Sequence, residues 1–192
     1  MDTKRVALIA VFAALSIILS PGISRISIPS PFFGLPYQVW EIPIFVAFLL
    51  LGAKPGLFVA CLGSLALVAF QPTFIAVAGV LACFAMLGGF YLAYKLVTRN
   101  VPIGMTPSTR KTVIATTAGG IIFRTWVMAV QNYYTLPLVL PLMGYEVSQS
   151  LMLGVIIPLV ALFNVTEPLY VIPVSYFLAK AIGSNLKIGN KT

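Results

Sequence analysis

The chain has 192 residues, 60% hydrophobic and 8% charged, where soluble domains carry roughly 45–50% apolar and about 25% charged residues; lipid has to accept most of this apolar surface, and at about 20 residues per span the length allows six or seven spans with no soluble catalytic domain. Histidine is absent and the acidic residues are Asp2, Glu41, Glu146 and Glu167 alone, which removes most metal and acid–base chemistry. The net charge of +8 sits in small groups beside the apolar runs, a topology signal rather than a nucleic-acid-binding stripe.

Six spans are expected in chain order. The first is Arg5–Ile23, read as a retained helix although Met1–Arg5 and the following apolar run imitate a signal peptide. The second is Tyr37–Leu51, entered through Trp40 and closed by Gly52-Ala53-Lys54-Pro55-Gly56. The third, Leu57–Phe70, is short and ends at Gln71-Pro72. The fourth is Phe74–Val97, followed by a polar loop, Thr98–Lys111. The fifth is Thr112–Pro137. The sixth, Ser150–Ile182, is long enough to be tilted, kinked or divided at Pro158, Pro168 and Pro173. Cys61 and Cys83 fall inside apolar runs and read as small buried hydrophobes.

With six spans, one side of the membrane holds Lys4, Arg5, Lys54, Lys95, Arg99, Arg110, Lys111, Lys180, Lys187 and Lys191, while the other holds only Arg25. Basic residues stay cytoplasmic, so both termini are expected in the cytoplasm, and an odd number of spans would scramble this sorting. The fold class is therefore an all-α integral membrane bundle of six transmembrane helices. The Pro- and aromatic-containing loops Ser24–Pro36 and Leu136–Gln149 suit lids over an outer site, or segments lying on the headgroups.

Polar groups at membrane depth are costly and face a partner or a cavity. Here they are Glu41, Gln71, Arg124, Gln131, Asn132, Asn164, Thr166 and Glu167. Each has a plain alternative: Glu41 lies at the interface, Asn132 and Asn164 clamp helices together, and Arg124 with Glu167 form an ion pair that only joins spans five and six. The aromatic residues Tyr37, Trp40, Tyr133 and Tyr134 fall on the same outer half as Glu41 and Asn132. They form either an interfacial belt or, with the amides and carboxylates, a site for a flat heteroaromatic ligand. In span one Ala10 and Ala14 make a small-xxx-small pair that lets another helix approach.

No phosphate-binding GxxxxGK[ST] loop is present, nor GxSxG, HExxH or CxxC, nor an acidic cluster for divalent metal. The chain reads as a binder or a passive path, powered by something else.

Several stretches look familiar. The Ala-rich first span Ile9-Ala10-Val11-Phe12-Ala13-Ala14-Leu15, the join Trp40-Glu41-Ile42-Pro43 and the turn Leu51-Gly52-Ala53-Lys54-Pro55-Gly56 resemble the substrate-binding S components of energy-coupling factor (ECF) vitamin transporters. Met128-Ala129-Val130-Gln131-Asn132-Tyr133-Tyr134, Leu136-Pro137-Leu138 and Leu162-Phe163-Asn164 are most similar to the riboflavin-binding members. One departure is Glu167-Pro168, where those members tend to have Lys three residues after the Asn. The resemblance implies a plasma-membrane, non-enzymatic binding subunit with no resident cofactor. Its transported ligand would be riboflavin, and it would be energised by a membrane coupling subunit and two cytoplasmic ATPase subunits. Glu41, Tyr37, Trp40, Asn132, Tyr133, Asn164 and Glu167 would hold the ligand, and Ala10 and Ala14 would meet the coupling subunit. A stand-alone secondary transporter, a lipid-acting membrane enzyme and a purely structural subunit remain as rivals.

Overall fold

The computed structural model describes residues 3–21, 23–24, 27–28, 37–71, 73–98, 109–142 and 144–186. Helices dominate, as expected of a chain that must satisfy every backbone group within its own segment in lipid. They are α1 (Thr3–Ile18), α2 (Glu41–Leu51), α3 (Ala53–Phe70), α4 (Phe74–Thr98), α5 (Arg110–Leu142), α6 (Gln149–Leu151) and α7 (Ile157–Leu186), the last two joined by a π-helical turn, Met152–Ile156. Between α1 and α2, β1 (Ser27–Ile28) pairs antiparallel with β2 (Tyr37–Gln38). Among the described residues four helical rods are long and apolar enough to cross a membrane: α3, α4, α5 and the continuous run Gln149–Ser184. The chain is a multi-pass membrane protein.

The central element is α2. Nine of its 11 residues are buried, so it is apolar all round and enclosed by protein rather than lipid. Phe45 and Phe48 set their rings edge-on against Phe90 of α4, and α7 packs along the other side. The turn into α3 is made by Gly52, whose φ of 99° lies in the region that glycine adopts without a Cβ penalty. Two devices keep the turn tight. Arg5 donates to the Leu51 carbonyl at 2.6 Å, and Gly56 approaches Phe48 so closely that a Cβ would lie 2.5 Å from the Phe48 Cα.

On α1 the buried residues Ile9, Phe12, Ala13 and Ser16 form one stripe at helical spacing, facing α2 and α3. The opposite face, with Ala7, Ala10, Val11, Ala14 and Leu15, is exposed. α4 and α5 touch backbone to backbone. A Cβ on Gly89 would lie 2.2 Å from the Gly119 carbonyl oxygen, and one on Gly119 would lie 2.5 Å from that of Gly89. One position on, Gly120 makes room for Ile172 of α7. These glycines bring α5 to the middle of the bundle and hold Arg124, one turn further along, inside it.

Several boundaries differ from the sequence expectation. The second helix starts at Glu41 rather than Tyr37, because Tyr37 and Gln38 are taken by the strand pair. The first stops at Ile18. The third begins at Ala53 with Pro55 in its first turn, where a missing N–H costs nothing. α5 runs through Pro137 and Pro141 to Leu142, so the first half of the expected Leu136–Gln149 loop is helix. The final rod is not divided at Pro158, Pro168 or Pro173; its irregularity is the π turn upstream of them. Cys83 is buried but Cys61 is exposed on α3, since helical rotation turns it outward. Most of the expected lid Ser24–Pro36, with Arg25, and most of the polar loop after α4 lie outside the described residues.

Candidate functional site

A buried polar cluster is centred on Arg124, near the middle of α5. Three neighbours converge on its guanidinium. Nη1 donates to both carboxylate oxygens of Glu41, at 2.9 and 3.0 Å. Nη2 donates to the Glu167 carboxylate. Nε donates to Oδ1 of Asn164 at 3.1 Å. Asn164 is held in turn by its own Nδ2, which donates to the Val160 carbonyl at 2.8 Å. All four side chains are 2–4% exposed. A buried charge is tolerated only when paired and hydrogen-bonded, and the fork geometry of arginine lets one cation serve two carboxylates from different helices. The cluster thus ties α2, α5 and α7 together.

One face of this cluster forms the floor of a cavity of about 380 Å³. Its walls come from the Phe74–Ala82 half of α4, from Met128, Asn132 and Leu136 on α5, and from Val160 and Phe163 near the start of α7. Pro21, Gln38 and Gln71 rim the end that bears the strand pair. Asn132 is 5% exposed, and among the described residues its amide has no hydrogen-bond partner. An amide that faces a cavity with its donors and acceptor unspent is a ready contact for a ligand. The volume falls in the ordinary range for small-molecule sites of ~300–1,000 Å³.

The structure sorts the expected residues. Glu41, Asn132, Asn164 and Glu167 line this cavity together. Tyr37 stands one ring behind the wall: it stacks on Phe163 with centroids 5.5 Å apart and donates its hydroxyl to Thr166 at 3.0 Å. Trp40 turns away from the cavity. It is 1% exposed, its indole N–H donates to Gln38 Oε1 at 2.8 Å, and its ring packs where Gly63 leaves space. Tyr133 is 52% exposed and lies against Tyr134 on the wall of a different cavity. That second cavity, about 430 Å³, is bounded by Pro137 and Pro141 of α5 and by Met152 and Leu153 of the π turn, with no charged side chain among its described residues. Gln131 also faces elsewhere and bonds Thr135 at 2.7 Å.

Arg124 and Glu167 do pair, but as part of a larger assembly, since Glu41 joins them. Glu41 is therefore not an interfacial carboxylate. Gln38, Gln71, Met128 and Phe163 are cavity residues that the sequence reading did not place in the site, although Gln71 carried the signal of a polar side chain at the end of an apolar run.

No family model matches the chain, and no curated protein matches it. Among solved structures, the S component of a bacterial ECF transporter shares its fold, with a TM-score of 0.73 and 23% identity over 97% of this chain and 99% of that one.

Proposed function

We propose that this protein is the substrate-binding S component of an ECF-type transporter, with riboflavin as its ligand. The observation that carries this reading is the cavity of about 380 Å³ whose floor is the Arg124 cluster and whose wall holds the unpartnered amide of Asn132. Phe74 and Phe163 give it aromatic surface for a flat ring, and Asn132 and the carboxylates offer hydrogen bonds to the ring's polar edge. The shared fold supports the S-component role.

In this reading six spans cross the plasma membrane with both termini in the cytoplasm, and the distribution of basic residues supports that orientation. The cavity then opens outward. A separate membrane coupling subunit with two cytoplasmic ATPases supplies the energy, and the exposed Ala10–Ala14 face of α1 is where the coupling subunit docks. Glu167, where riboflavin binders tend to carry lysine, favours a second reading: an S component for another water-soluble vitamin.

The test is the absorbance spectrum of the purified protein followed by titration with riboflavin. A visible flavin band, or saturable quenching of riboflavin fluorescence, is expected. A colourless protein that leaves the fluorescence unquenched rejects riboflavin. Uptake by the chain alone, driven by an ion gradient, rejects the S-component role.

A further inference from the structure

Two carboxylates share one guanidinium at the floor of the cavity. With both ionised, Glu41, Glu167 and Arg124 sum to a formal charge of −1. Each nitrogen of the guanidinium is already engaged: Nε by Asn164, Nη1 by Glu41 and Nη2 by Glu167. Among the described residues lining the cavity no other side chain is basic; the remaining polar ones are the neutral amides Gln38, Gln71 and Asn132. An anionic group entering here finds no free cation, and a low-dielectric site magnifies its repulsion from the excess carboxylate. A neutral ligand with N–H donors, or a cationic one, meets acceptor oxygens instead.

We infer that this cavity admits neutral or cationic heteroaromatic ligands and rejects their phosphorylated or carboxylated forms, the excess carboxylate of the Glu41–Glu167 pair setting the selection. Glu41 meets Nη1 of Arg124 with both oxygens and Glu167 meets Nη2, so the two carboxylates share one cation and neither is set apart as its sole counter-ion. The inference deepens the proposed function and rests on it for the site's location, but not for the identity of the vitamin.

The experiment is calorimetric titration of the purified full-length protein with two matched pairs, riboflavin against flavin mononucleotide and thiamin against thiamin monophosphate. The unphosphorylated member of at least one pair binds, and its phosphorylated partner binds at least 100-fold more weakly. In Glu167→Gln, which makes the cluster formally neutral, that gap shrinks at least tenfold through improved binding of the phosphorylated member, a gain that mere loosening of the site does not produce. Should Glu167→Gln not yield folded protein, Glu41→Gln provides the same change of charge. Phosphorylated and parent ligands binding within threefold of each other in the wild type, or an unchanged gap in both variants, overturn the inference. Thiamin binding without riboflavin binding rejects the flavin reading and leaves charge selection to be judged on the thiamin pair. A protein that binds none of the four ligands overturns both.

Discussion

Near Gly89 and Gly119, α4 and α5 are closed on one another with no side chain between their backbones; between Ala82 and Phe74 on α4, and Arg124 and Leu136 on α5, the same two helices stand apart around the cavity. The glycine end contributes close van der Waals contact and carries no polar side chain at the crossing. The open end forgoes that contact and holds Arg124, Met128 and Asn132 instead. One helix pair therefore changes character along its length: a closed backbone contact at one end, a polar-lined cavity at the other. Substitutions at the two ends should fail in different ways.

The largest effect is expected at the boundary between the ends. Arg124→Met leaves Glu41 and Glu167 buried without a counter-ion, and breaking such a pair costs about 3–5 kcal/mol. Thermal unfolding in detergent should show a large drop in transition temperature or no cooperative transition; an unchanged transition removes the cluster from the stability of the bundle. Next comes the closed end. Gly119→Val places side-chain atoms against the Gly89 carbonyl, and overpacking of this kind costs about 1–3 kcal/mol. The same melting experiment should register the loss, while ligand affinity measured on the surviving folded fraction stays within about threefold.

Asn132→Ala reverses that pattern. Affinity for the ligand falls at least tenfold, about 1.4 kcal/mol, and the melting temperature of the ligand-free protein hardly moves. A tenfold loss accompanied by an equal loss of stability makes Asn132 a helix clamp instead. The smallest effect on the isolated chain belongs to Ala10→Trp, on the exposed face of α1. Melting and ligand binding should remain at wild-type values, whereas co-purification with an ECF coupling module is lost. Assembly that survives the substitution moves the docking surface elsewhere.

The polar half of the candidate cavity was legible because the sequence has so few candidates. Glu41, Asn132, Asn164 and Glu167 stand out against apolar neighbours, and a membrane gives each of them a reason to find a partner. The aromatic half was less legible. Trp40 and Tyr133 adjoin Glu41 and Asn132 in sequence, but each step along a helix turns the side chain by about 100°, so neighbours in the chain leave in different directions. The convergence of Glu41 on Arg124 spans 83 positions, and no local period encodes it. The start of α2 was misplaced for a similar reason: Tyr37 and Gln38 are drawn into a strand by Ser27 and Ile28, a partner that local hydrophobicity does not reveal. The end of α5 was misplaced because proline ends most helices, while in a membrane the carbonyls that it frees find other partners and the rod continues.

The Arg124 cluster joins groups that are synthesised far apart. Glu41 leaves the ribosome 83 residues ahead of its counter-ion. Glu41 opens α2, which at 11 residues is about half the length that a lone span needs. The innermost helix of the bundle therefore gains the counter-ion of its one charged residue only once α5 has been synthesised.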